Sequence, residues 1–207
     1  MPKHKEELKG NIANEPDFTY EGFTYEDYLK FDLDYMVEVI RGKLFKMSPA
    51  PGSTHQEILG KLHVDIAVFL AGKDCKVFLA PYDVILPVKK IGYSKSQTVV
   101  QPDICVICDK SKIREKGCFG PPEWIIEIIS PHTTKKDLQL KYDVYEEAGV
   151  KEYWVVMPKS QVVEIYVLEN NRYRRVGAYA HEDTVSPATF PELKIILAEV
   201  FGEKPEY

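Results

Sequence analysis

No apolar run in the 207-residue chain approaches the roughly 18 residues that a membrane-crossing helix needs. The opening stretch, MPKHKEELKGNIANEPDF, is polar and has no apolar core of the kind a secretory signal carries, so a cytoplasmic protein is expected. Internal repeats and low-complexity tracts are missing, which sets aside solenoid and linker-rich architectures. A positive excess is missing too. Against 27 Lys and Arg stand 32 Asp and Glu, a net charge of −5. That argues against a broad, non-specific nucleic-acid surface, though it leaves room for a local basic groove.

Cysteine is scarce, at Cys75, Cys105, Cys108 and Cys118. Cys105 and Cys108 have formal C-x-x-C spacing, a zinc or redox signature. They fall in a β-branched run, where residues three apart point to opposite faces and the sulfurs diverge. Reduced, mostly buried thiols are therefore expected in place of a zinc knuckle.

What is present is ordinary for a soluble globular protein: 44% hydrophobic and 29% charged residues. The length suits one domain with a sizeable core. A polar leader over residues 1–18 and a single domain over 19–207 are expected. TYEDYLKF predicts a short helix, with Thr24 and Asp27 at capping-box spacing. YMVEVIRGKLFKM predicts two strands joined at Arg41-Gly42-Lys43. The clearest helix runs from Ser53 to Gly72, where Thr54 and Glu57 have capping-box spacing and Ile58, Leu62, Ile66 and Leu70 form a core-facing stripe. KVFLA and YDVILP predict strands, and TVVQPDICVIC reads as one further strand. The Gly- and Pro-marked segment Asp109 to Pro122 reads as a surface loop. EWIIEIIS is a strand, followed by a second helix from about Thr134 to Ala148, closed by Gly149. EYWVVM, VVEIYVL and RYRRVGAY are strands, and PELKIILAEVF is a short helix or buried turn. This order predicts an α/β (α+β) domain with a central mixed β-sheet flanked by helices. It does not decide whether the two long helices share a face.

Two carboxylates stand out. Asp103 opens one apolar run and Glu127 lies inside Trp-Ile-Ile-Glu-Ile-Ile. A strand this continuously apolar is buried on both faces, and an unpaired acid there costs several kcal/mol or takes up a proton. Pairing with a lysine, or exposure at a sheet edge, is one solution. A divalent cation shared by the two acids is another, because Mg²⁺ accepts one or two carboxylates and completes its shell with water and phosphate. Lys141 lies three residues after Leu138 and four before Tyr145, so it shares their inward face. Either its stem is buried and its ammonium reaches water, or the ammonium reaches the acids. Lys135 and Lys136 sit in the first turn of the same helix, against its dipole, where a DNA phosphate would relieve them and plain solvation is the alternative.

QPDICVI and GPPEWIIEIISPHTTKKDLQLKYDVYEEAGVKEYWVV, together with VEVIRGKLFKMSPAPGSTHQEILGKL upstream, resemble the Uma-type restriction endonuclease family. That family, long catalogued as a domain of unknown function, belongs to the PD-(D/E)XK nuclease superfamily. The resemblance covers about residues 20 to 195 and implies a restriction-endonuclease-like core. It makes Pro102-Asp103 the PD of the motif and Glu127 its second acid. The motif lysine would fall at Ile129 and is absent, and Lys141 is the implied replacement. Glu38 matches an acidic family position, and His55 and Gln56 match its HQ pair, implying contacts to substrate or metal. The implied activity is a DNA endonuclease using Mg²⁺ (or Mn²⁺), with Asp103, Glu127 and the Ile128 carbonyl holding the ion and Lys141 steadying the attacking water. A homodimer is implied as well. The alternative is a catalytically weak nucleic-acid-binding or accessory module on the same fold.

Overall fold

The structure, a computed structural model, describes residues 22–47, 50–87, 92–130 and 135–203, apart from the side chains at 93 and 135–137. The expected leader over 1–18 lies outside the described residues, as does Thr134. Among the described residues, no helix is long and apolar enough to cross a membrane.

Helix α1 (Tyr25–Tyr28) starts where the capping box predicts. The Asp27 carboxylate accepts from the Thr24 amide at 3.0 Å, and the Thr24 hydroxyl accepts from the Asp27 amide at 3.4 Å. Thr24→Ala is expected to cost about 1 kcal/mol, read as a lowered urea midpoint with an unchanged slope. Strands β1 (Val37–Ile40) and β2 (Lys43–Lys46) then form a hairpin. Arg41 and Gly42 both take positive φ, 52° and 79°, the tight mirror-image turn that matches strand twist.

Helix α2 (Ser53–Leu70) buries the predicted stripe Ile58, Leu62, Ile66 and Leu70. The expected Thr54–Glu57 capping box does not form. Gly52 takes the N-cap position in extended conformation, so Thr54 already lies inside the first turn. Strands β3 (Lys76–Leu79), β4 (Val84–Ile85), β5 (Val99–Val100) and β6 (Ile104–Ile107) follow. The single strand expected over TVVQPDICVIC is thus two strands, and they belong to different sheets. Pro102 has no amide to give a ladder, and the Gln101 amide donates instead to Glu38 Oε1 at 2.8 Å.

The expected loop from Asp109 to Pro122 also holds a hairpin, β7 (Ile113–Arg114) and β8 (Gly117–Phe119). Cys118 on β8 is fully buried. Gly117, at φ +136°, is what allows this approach, because a Cβ there would collide with the Asp83 carbonyl beside β4. The chain continues through β9 (Trp124–Ile128), α3 (Lys135–Ala148), β10 (Glu152–Met157), β11 (Val162–Glu169), β12 (Arg172–Ala180), β13 (Thr184–Val185), β14 (Ile195–Ile196) and α4 (Leu197–Phe201).

The α/β class with mixed sheets flanked by helices is what the structure has. The central sheet runs β12-β11-β10-β9-β6-β3, with β9 and β10 parallel and α3 as their crossover. A second six-stranded sheet runs β2-β1-β5-β4-β8-β7. Side chains alternate along the central strands. Ile104, Val106, Trp124, Ile126, Trp154 and Val156 pack on α2 and α4. Cys105, Ile107, Ile125, Tyr153 and Val155 face the other way, onto α3 and the second sheet. The two long helices therefore lie on opposite faces. Glu127, one residue past Ile126, is directed to the α3 face by the same alternation.

The thiols differ from expectation. Cys75 and Cys108 form a disulfide. They flank β3 and β6, whose register pairs Lys76 with Ile107 and so sets the two cysteines opposite each other. Cys105 and Cys118 remain free and buried, as expected, and burial pushes the Cys118 thiol up to about 12.

Candidate active site

Three elements converge on Glu127. It sits near the end of β9, buried, with its side chain toward α3. Lys141, on the second turn of that helix, places Nζ 2.9 Å from Glu127 Oε1. The same ammonium lies 3.0 Å from Glu38 Oε1. Glu38 comes from β1, where Val37 and Val39 face away and Glu38 shares the inward side with Ile40. One amine thus bridges acids from two different sheets. The Glu38 carboxylate is steadied further by the Gln101 amide. The Gln101 side chain in turn donates to Asp83 at 2.7 Å and to the Tyr28 hydroxyl at 3.1 Å, tying α1 to the site.

Asp103 lies just before β6, in the break that Pro102 makes. Its Oδ2 accepts from the Ile128 amide at 2.7 Å, so it is pinned to the residue after Glu127. Its Oδ1 is 3.3 Å from His55 Nε2, at the start of α2. The hydrogen bond to Asp103 raises the His55 pKa, against the opposing effect of burial. Asp103 therefore joins the two faces of the central sheet, with α2 contributing on one side and the Glu127 strand on the other.

The electrostatics are those of a crowded acid cluster. Burial raises the Glu127 pKa to about 7, and the charges of Asp103 and Glu38 add to the rise. Lys141 and the Tyr145 hydroxyl act in the opposite direction. Burial works against the Lys141 ammonium, yet Glu127 and Glu38 together hold its pKa above the ordinary lysine value. Lys141 is thus charged at all ordinary pH. Three carboxylates share this amine and one histidine, an excess of negative charge in a place largely closed to water.

The remaining residues singled out by sequence fall as follows. Gln56 is exposed on the first turn of α2, its backbone amide donating to the Gly52 carbonyl. Lys135 and Lys136 begin α3, and their side chains lie outside the described residues. Ile129, where a motif lysine would stand, packs instead into the apolar cluster between the central sheet and α3. The ammonium that reaches Glu127 comes from the helix. In the sequence Tyr145 fits an apolar position, but its hydroxyl donates to Glu127 Oε1 at 2.6 Å. The signal available was its place four residues after Lys141, on the same helix face.

Among the described residues, no cluster of three or more His, Cys, Asp or Glu side chains is arranged to hold a metal ion. The donor chemistry nevertheless fits a magnesium-type ion. Such an ion takes one or two carboxylates and fills its shell with water and substrate phosphate, and it prefers the hard oxygens found here. Asp103 and Glu127, with the carbonyl of Ile128, are the residues that would hold it. The hydrogen bond from the Ile128 amide to Asp103, which fixes one acid against the residue that follows the other, is the observation that favours this.

The comparisons place these residues in a known group. No curated protein matches the chain. A solved structure matches over 86% of this chain and 97% of its own, with a TM-score of 0.70 and 20% identity. Its title is "Crystal structure of a putative nuclease belonging to DUF820 from Anabaena variabilis ATCC 29413 at 1.96 A resolution". At that identity the match speaks to the fold. The sequence model of the Uma2 family, described as "Putative restriction endonuclease", matches residues 24–198. All the residues of the site fall within that span, and the chain belongs to the Uma2 family.

Proposed function

We propose that the protein is a divalent-metal-dependent endonuclease that hydrolyses phosphodiester bonds in DNA. The observation that carries this reading is the 2.9 Å contact between Lys141 and Glu127, which supplies an ammonium to the second acid although Ile129 occupies the motif position. Asp103, Glu127 and the Ile128 carbonyl are assigned to hold Mg²⁺ or Mn²⁺. Bound there, the ion would lower the pKa of a water and polarise the scissile phosphate. Lys141 would hold that water or offset the charge developing on the phosphoryl oxygens. Glu38 keeps the ammonium placed between the two acids. His55 fixes Asp103 by its second oxygen.

The test is direct. Purified protein with Mn²⁺ or Mg²⁺ should nick or linearise supercoiled plasmid, and excess chelator should stop the reaction until metal is restored. Supercoiled, linear and single-stranded DNA left intact with either metal would remove the endonuclease reading. Calorimetric uptake of Mn²⁺ in that same protein would then favour an accessory module that binds metal without cutting.

A further inference from the structure

We propose that Tyr145 is a positioning residue that sets the orientation of the Glu127 carboxylate for metal uptake, an inference that rests on the metal-dependent reading above. Two donors from one helix, one turn apart, converge on a single oxygen: Tyr145 OH at 2.6 Å and Lys141 Nζ at 2.9 Å, both on Oε1. Both donors are on Oε1, and neither is on Oε2.

Lys141 alone is poorly suited to this task. Its ammonium is shared with Glu38 at 3.0 Å and rides on a flexible four-carbon stem with freely turning donors. The phenol has only two side-chain torsions. Its ring is fully buried and held edge-on to Tyr153, with centroids 5.2 Å apart and planes at 67°. A short hydrogen bond from a ring packed in this way restricts how the carboxylate can turn. Without it, Glu127 would be free to turn both oxygens toward the Lys141 ammonium, a competitor for any ion.

Groups that orient a metal-binding carboxylate typically contribute on the order of ten- to a hundredfold in affinity. Full-length wild type, Tyr145→Phe and Tyr142→Phe would be titrated with Mn²⁺ by calorimetry, after metal-free thermal unfolding shows that each is folded. Tyr142 lies on the same helix, and its hydroxyl donates to the Tyr173 carbonyl at 3.4 Å. Tyr145→Phe should bind Mn²⁺ about ten- to a hundredfold more weakly, and Tyr142→Phe should bind it as wild type does. Equal binding by wild type and Tyr145→Phe overturns the inference and leaves the metal reading standing. Equal weakening in both variants overturns it too, because a loosened helix would then be the cause. A wild type that takes up no Mn²⁺ overturns both readings together. If Tyr145→Phe does not fold, 3-fluorotyrosine placed at 145 carries the test. Its fluorine resonance should shift as Mg²⁺ is added and saturate with the metal, and an unmoved resonance overturns the inference.

Discussion

Replacing Lys141 by alanine is expected to slow DNA cleavage by about 10²–10³-fold and to destabilise the fold at the same time. Both effects come from the same atom. The Lys141 ammonium sits 2.9 Å from Glu127 and 3.0 Å from Glu38, and no other described cation contacts either acid. Removing it leaves two buried carboxylates facing each other without a counter-charge, which costs about 3–5 kcal/mol when one partner of a buried pair is lost. Urea unfolding at pH 8 reads this loss. The loss should shrink at pH 5, where Glu127 can take up a proton and relieve the repulsion. Lys141→Met keeps most of the stem and should behave like alanine, which assigns the effect to the charge and not to packing. Two variants that cut and unfold like wild type would remove Lys141 from the site.

The second large effect concerns pH. Glu127 has its pKa raised to about 7 in the folded protein, from 4.5 in the unfolded chain. Between those values the folded state keeps a proton that the unfolded state has released. The stability Glu127 contributes is therefore fully present below about pH 4.5 and is lost as pH rises to about 7. His55 adds a decline of the same sign above its ordinary value of 6.5, because Asp103 raises its pKa too. Glu127→Gln keeps the shape and still accepts from Tyr145 and Lys141, but it has no proton to lose. The variant should lose most of the wild-type slope between pH 4.5 and 6.5, keep the His55 decline above that, and match or exceed wild type at pH 8. Urea midpoints across that range check this, and the wild-type curve minus the variant curve isolates Glu127 from His55. A variant as steep as wild type would mean that Glu127 is not the group titrating.

Much of the site could be read from the chain because burial makes particular residue types conspicuous. An acid within Trp-Ile-Ile-Glu-Ile-Ile must find a partner, and a lysine on the apolar face of the next helix is an obvious candidate. Periodicity alone brings those two residues into view. Glu38 is different. Its strand looks like any half-buried strand, and only the family likeness pointed to it, since its partner lies 103 residues away on α3. Tyr145 was hidden by its own ring, which satisfies the apolar pattern so well that the hydroxyl goes unnoticed. The break between β5 and β6 was hidden because Val99 to Ile107 is apolar on both sides of Pro102, and the redirected Gln101 amide depends on where β1 lies. The Cys75–Cys108 bond was missed for a similar reason. Spacing within one run says nothing about a cysteine brought alongside by antiparallel register from 33 residues away.

One feature of the fold bears on when the chemistry first becomes possible. The acid at the end of β9 and the amine on α3 belong to a single strand-helix-strand unit, in which the helix crosses between two parallel strands. Neither residue can meet the other until that crossover has closed down onto the sheet. A chain caught with its helix undocked would keep its carboxylates and lack the ammonium that holds them together.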